Sequence, residues 1–146
     1  MTKRRKGSIL KINNKKSNSE AFPKSLGEVH LRAERKHNQG IEKIIANPEI
    51  IGVKDIHFYE TEINIYDGDK KLSALDIWLS NTDTCYLIEY KSRDCKGMRI
   101  KAKDQLRIAK KHIEDKYRKD KMVMLYVSNG NNVLELTEKG YFRKFP

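Results

Sequence analysis

Residues 72–92 read LSALDIWLSNTDTCYLIEYKS, two apolar runs that carry three charged side chains: Asp76 in the first, Glu89 and Lys91 in the second. Successive side chains of a strand point to opposite faces, so Glu89 and Lys91, two apart, share a face with Leu87. The polar stretch 81–83 suits a hairpin turn, and closing it lays the Asp76 run beside the Glu89 run. An unpartnered buried carboxylate or ammonium costs several kcal/mol, so the three groups must either neutralise one another or gather around a metal ion. In the second case two carboxylates would bind a hard divalent cation, which acts as a Lewis acid and lowers the pKa of bound water.

The elements that must position these residues are legible in the periodicities. Ser25-Leu26-Gly27-Glu28 has the form of a capping box and predicts a helix start. Leu26, Val29, Ala33, Ile41, Ile44 and Ile45 continue it at helical steps to a stop at Asn47-Pro48, with Gly40 a possible break into two. Strands are expected over 52–58 and 60–66, the second alternating Ile63 and Ile65 with polar residues, followed by a tight turn at Asp67-Gly68. With the two central runs they make an antiparallel meander, then a loop containing Gly97. Ala102, Leu106, Ala109, Ile113 and Tyr117 form one apolar stripe over a helix at 99–117. That helix returns the chain to the apolar run 122–127, a buried strand that a crossover would place parallel to 85–90. A small strand at 133–136 closes the chain. The fold class expected is α/β, a mixed central sheet flanked by helices.

The chain has 146 residues, enough for one domain, placed at 21–146, that buries roughly two-thirds of its unfolded surface. Its 31 Lys and Arg against 20 Asp and Glu give a formal charge of +11, which points to a polyanionic partner, nucleic acid first; a solvated basic surface would show the same charge. Residues 1–20 are poor in apolar side chains and read as a basic mobile arm, in which Lys3, Arg4, Arg5 and Lys6 could follow a phosphate backbone. Cys85 and Cys95 make neither a disulfide framework nor a zinc spacing. With no apolar window long enough for a signal peptide or a membrane span, an intracellular, cytoplasmic protein is expected.

Asp76, twelve intervening residues and then Glu89-Tyr90-Lys91 resemble the motif of the PD-(D/E)XK nucleases, and the αβββαβ order is similar to that superfamily's restriction-endonuclease-like core. The match covers about residues 25–127. Within the superfamily the chain looks like the small archaeal-type Holliday junction resolvases in size, basic character and the interval between the acids. It departs from their pattern in having Ser73-Ala74-Leu75 before Asp76, where a proline is common, and in the long separation between the first helix and Asp76.

The resemblance implies a metal-dependent DNA endonuclease. Asp76, Glu89 and the backbone carbonyl of Tyr90 would bind Mg²⁺ or Mn²⁺, since all-oxygen ligation suits these ions and not zinc. Lys91 would orient the attacking water or stabilise charge on the phosphorane. Gln105 matches a glutamine that lies near the lysine in that family, and Glu34 matches its first-helix glutamate, with Glu42 in reserve. Arg93, Arg99, Lys101 and Lys103 follow the site and could hold DNA backbone. Trp78 and most tyrosines fall inside expected strands, which favours duplex or branched DNA over stacked single strands. Symmetric cutting implies a homodimer, whose interface could lie at the 122–127 sheet edge or on the aromatic segment 141–145. A restriction-type or mobile-element nuclease with the same core, and a non-catalytic nucleic-acid-binding protein, are the competing readings.

Overall fold

A helical stripe of small and branched apolar residues packs where a sheet offers a matching apolar face. The computed structural model, which describes residues 10–12, 24–116, 121–129 and 132–146, shows this on both faces of one sheet. In chain order the strands are β1 (Leu10–Ile12), β2 (Phe58–Asp67), β3 (Lys70–Ser80), β4 (Thr84–Lys91), β5 (Lys121–Ser128), β6 (Asn132–Leu136) and β7 (Phe142–Lys144). Helix α1 (Lys24–Ala46) precedes β2, and α2 (Lys96–Lys116) joins β4 to β5. The spatial order of the strands is their sequence order. All neighbours are antiparallel except β4 and β5, which pair in parallel through the α2 crossover. The architecture is thus three-layered α/β with a mixed sheet.

Each face has its own core. Leu106, Ala109 and Ile113 of α2 pack with Ile63, Ile65, Leu75, Trp78 and Leu87 on one side of the sheet. Ile41 and Ile44 of α1 pack with Ile77, Leu79, Ile88, Leu125 and Val127 on the other. Strand β4 therefore alternates its side chains between two buried layers, which is why 85–90 reads as a nearly continuous apolar run.

Several expectations need correction. Helix α1 passes through Gly40 unbroken and already includes Ser25, so the serine is not the residue before the helix. Gly40 is there for space: a Cβ at this position would collide with the Tyr90 ring. Residues 52–57 form no strand. Pro48–Ile51 make a single 3-10 turn, Gly52 leaves it in the left-handed region at φ 83, and Val53 and Ile56 then fill the α1-side core. Helix α2 begins at Lys96, so Gly97 lies in its first turn and not in a loop. Strand β1 lies inside the segment expected to be a mobile arm and pairs with β2. Strand β5 is no sheet edge, being flanked by β4 and β6; in the segment 141–145, Phe142 and Phe145 pack against the chain's own two cores while Tyr141 is exposed. Among the described residues no helix is long and apolar enough to cross a membrane.

Candidate active site

Wherever two strands separate, their inward backbone groups lose partners and must find others. The ladder between β3 and β4 runs from Ser80 opposite Cys85 to Ile77 opposite Ile88 and stops there. Asp76 and Glu89 would form the next pair, and their carboxylates take over the lost bonds. The Asp76 N–H donates to Glu89 Oε2 at 2.9 Å, and the Tyr90 N–H donates to Asp76 Oδ2 at 2.8 Å. The two acids thus sit at a fork in the sheet, each tied to the other's strand.

The other flank of β3 is irregular at the same place. Thr61 pairs with Ile77 and Ile63 with Leu75, which leaves Glu62 opposite Asp76 with φ at 54. Leu75 and Ile77, two apart, also pack into opposite layers, so the pleat switches face at Asp76. A left-handed backbone at a residue other than glycine costs about 1–2 kcal/mol and marks a place where something besides stability set the sequence. Glu62→Gly should therefore stabilise the metal-free protein by about 1 kcal/mol, raising its melting temperature by roughly 2–4 °C in a thermal scan.

The fork points Asp76 at α1, where His37 meets it. His37 Nε2 lies 3.2 Å from Asp76 Oδ2 and 3.1 Å from the Tyr90 carbonyl oxygen. Burial pulls the imidazole pKa down, but the hydrogen bond and charge of Asp76 outweigh it and hold His37 above its ordinary value. Lys91 shares the face of Glu89 as the pleat requires, its Nζ 3.7 Å from Glu89 Oε1. The Glu89 side chain is 1% exposed, and Oε1 has no hydrogen-bond partner among the described residues. Burial first and the Asp76 charge second push the Glu89 carboxyl well above the usual range, against the opposing pull of Lys91. Glu62 is raised as well, by burial and then by the charges of Asp76 and Glu34.

The remaining expected residues divide. Glu34 is half-buried one helical turn before His37, whereas Glu42 is exposed. Gln105 Nε2 donates to the Ala74 carbonyl at 3.4 Å, two residues before Asp76, and its Oε1 is buried without a hydrogen-bond partner. Gln105 also lines an open groove between β3 and α2 with Lys71, Ser73, Ala74, Lys101 and Asp104. Arg93 and Lys101 are exposed and Lys103 half-buried. Arg99 does not belong with them, because Asp94 holds it: its Nε and a terminal nitrogen donate to the carboxylate at 2.9 and 2.6 Å, and the Tyr126 hydroxyl donates to the same group at 2.9 Å. Lys3, Arg4, Arg5 and Lys6 lie outside the described residues.

His37 and Glu62 escaped the reading of the sequence, yet His37 left a signal. It falls four residues after Ala33 and four before Ile41, on the stripe that α1 buries, where an apolar residue is expected. Glu62 left none: it is exposed, as a polar residue alternating with Ile63 and Ile65 should be, and only its backbone sets it apart.

The donors here, two carboxylates and a carbonyl, are the all-oxygen kind that Mg²⁺ or Mn²⁺ takes. Glu89 Oε1, buried and met only by the Lys91 ammonium at 3.7 Å, beyond hydrogen-bond distance, is an atom such an ion would satisfy. Among the described residues no group of three or more His, Cys, Asp or Glu side chains stands ready-made around an ion. No protein-family model and no curated protein matches the chain.

Proposed function

We propose that the chain is a metal-dependent DNA endonuclease of the PD-(D/E)XK type, with a restriction-endonuclease-like core and a preference for branched duplex DNA. The observation that carries the reading is the fork, which puts Asp76 and Glu89 side by side with a buried, unsatisfied Glu89 oxygen 3.7 Å from the Lys91 ammonium. Fold stability alone has little use for such a set, because burying it costs more than an apolar replacement would. The order helix, three antiparallel strands, helix, parallel strand supports the same reading.

Asp76, Glu89 and the Tyr90 carbonyl would hold Mg²⁺ or Mn²⁺, which when bound supplies charge neutralisation at the scissile phosphate and a water of lowered pKa. Lys91 would orient that water or meet charge developing on the phosphorane. Gln105, anchored to the strand that carries Asp76, would position phosphate beside the groove. Exposed Lys101 would contact the backbone, so Lys101→Ala should weaken DNA binding and lower the salt slope by about one ion. Arg99→Ala should instead lower the melting temperature by releasing Asp94, with little change in that slope.

Purified protein incubated with labelled four-way junction, linear duplex and single-stranded DNA in Mg²⁺ or Mn²⁺ tests the substrate class. Paired nicks at the junction support a resolvase-like dimer; cleavage of linear duplex instead points to a restriction-type or mobile-element nuclease. A second reading, a non-catalytic nucleic-acid-binding protein, draws on the fact that both acids already accept backbone N–H groups and so have a structural duty. Binding without cleavage in either metal would select it.

A further inference from the structure

We infer that the flank of α2 turned toward β6 is a second DNA-backbone contact, which takes a duplex arm other than the one at the groove beside Gln105; the inference rests on the DNA-directed reading above. Residues 99, 103, 107 and 111 stand four apart, so they form one ridge along the helix, and all four are basic: Arg99, Lys103, Arg107 and Lys111. Asp94 neutralises the first. Among the described residues the other three have no ion-pair partner: Glu114 is taken by Lys110 at 3.5 Å, and exposed Glu138 lines the same cleft without pairing. Like charges at this spacing oppose the helix, so the ridge works against the fold and suits a partner of opposite charge.

The ridge is also built into the structure at one point. The Arg107 guanidinium lies against Gly140, where a Cβ would collide with one of its terminal nitrogens, and Gly140 holds φ at 95 in the turn between β6 and β7. That turn is fixed by the Gly140 N–H donating to the Thr137 carbonyl at 2.9 Å and the Thr137 hydroxyl donating to the Tyr141 carbonyl at 3.0 Å. Arg107 is thus seated on backbone, with no carboxylate taking its donors. Four helical residues advance about 6 Å, so the cations are spaced much as neighbouring phosphates on one strand, and such contacts hold backbone without reading sequence. Lys101 and Gln105 line the groove on the β3 flank of α2, whereas Arg107 and Lys111 line the cleft beside Thr137 and Glu138. Exposed Asp104, three residues from both Lys101 and Arg107, stands between the two flanks. A backbone following the ridge would have to cross that carboxylate to reach Lys101, but a branched substrate offers a separate arm to each flank.

Binding in EDTA, which leaves the DNA uncut, tests this apart from catalysis. The full chain as wild type, as the double variant Arg107→Gln, Lys111→Gln and as Lys101→Ala is titrated with labelled four-way junction and with linear duplex across a salt series. The double variant should bind the junction roughly tenfold more weakly, with a salt slope lower by about two ions, and the linear duplex with little change. Its melting temperature should hold or rise, because a like-charge ridge has been relieved. Equal weakening on junction and duplex would place a single backbone across α2 and overturn the second arm. Unchanged junction binding by the double variant, with Lys101→Ala still weakened, would overturn the ridge and leave the DNA-directed reading standing. A wild type that binds neither DNA would bring down both.

Discussion

Glu89→Gln should abolish metal-dependent DNA cleavage, a loss of roughly 10³-fold or more, while raising the melting temperature of the metal-free protein at neutral pH. The two effects share one cause. Glutamine keeps an oxygen to accept the Asp76 N–H, so the fork survives, but it removes the buried negative charge that a metal ion would need. Burial and the neighbouring Asp76 charge make the ionised form of Glu89 unfavourable even beside Lys91. A carboxyl whose folded pKa lies above its unfolded value keeps its proton in the folded chain at pH values where the unfolded chain has released it. Its stabilising effect is therefore complete below the ordinary glutamate range and is lost as pH rises toward the folded value. The difference in melting temperature between variant and wild type, measured without metal across pH, should be small in acid and grow in favour of glutamine as pH rises. A variant less stable than wild type at neutral pH would show instead that Glu89 serves chiefly as the partner of Lys91.

Gly40→Ala should damage both fold and site although it is, on helix propensity alone, a gain of about 1 kcal/mol. The added methyl meets the ring of Tyr90, which is 5% exposed and has nowhere to move. Overpacking of this kind costs about 1–3 kcal/mol and shifts backbone. The backbone in question carries the amide that holds Asp76 and the carbonyl that faces His37. A double-mutant cycle separates the effects: Gly40→Ala should lower stability and cleavage in the wild-type background, yet be neutral or stabilising in Tyr90→Ala. Equal costs in both backgrounds would mean that the glycine is needed for some reason other than the ring.

Much of the architecture was legible because its signals are local. Ala102, Leu106, Ala109 and Ile113 announce a helix by spacing, Asp67-Gly68 and 81–83 announce turns, and the run 122–127 announces a strand buried on both faces. Glu89 and Lys91 were placed on one face by the pleat alone, and their side chains do meet. What stayed hidden depends on tertiary contact. Gly40 suggests a break until Tyr90 is known to lie against it. Val53 and Ile56 look like strand residues because they are apolar, but they fill the α1-side core from irregular backbone. Phe142 and Phe145 read as needing a partner subunit because nothing local says that the chain's own two cores receive them; Tyr141 stays exposed. The fork itself was invisible for the same reason: nothing in the sequence says that the Tyr90 N–H will donate to Asp76, or that His37 will reach Asp76 and the Tyr90 carbonyl from thirty-nine and fifty-three residues earlier.

The measurement that bears most directly on this account is cleavage of a labelled four-way DNA junction by wild type and Lys91→Met, each with Mn²⁺ and with EDTA. Lys91 contributes to catalysis in the proposal and pairs with Glu89 Oε1, but it binds no metal and makes none of the backbone hydrogen bonds that close the fork. Wild type should nick the junction only with metal, and Lys91→Met should bind it with unchanged affinity while cutting roughly 10²–10³-fold more slowly. Equal cleavage by both proteins, or cleavage that persists in EDTA, would contradict the assignment of Asp76, Glu89 and Lys91 as a metal-dependent nuclease centre.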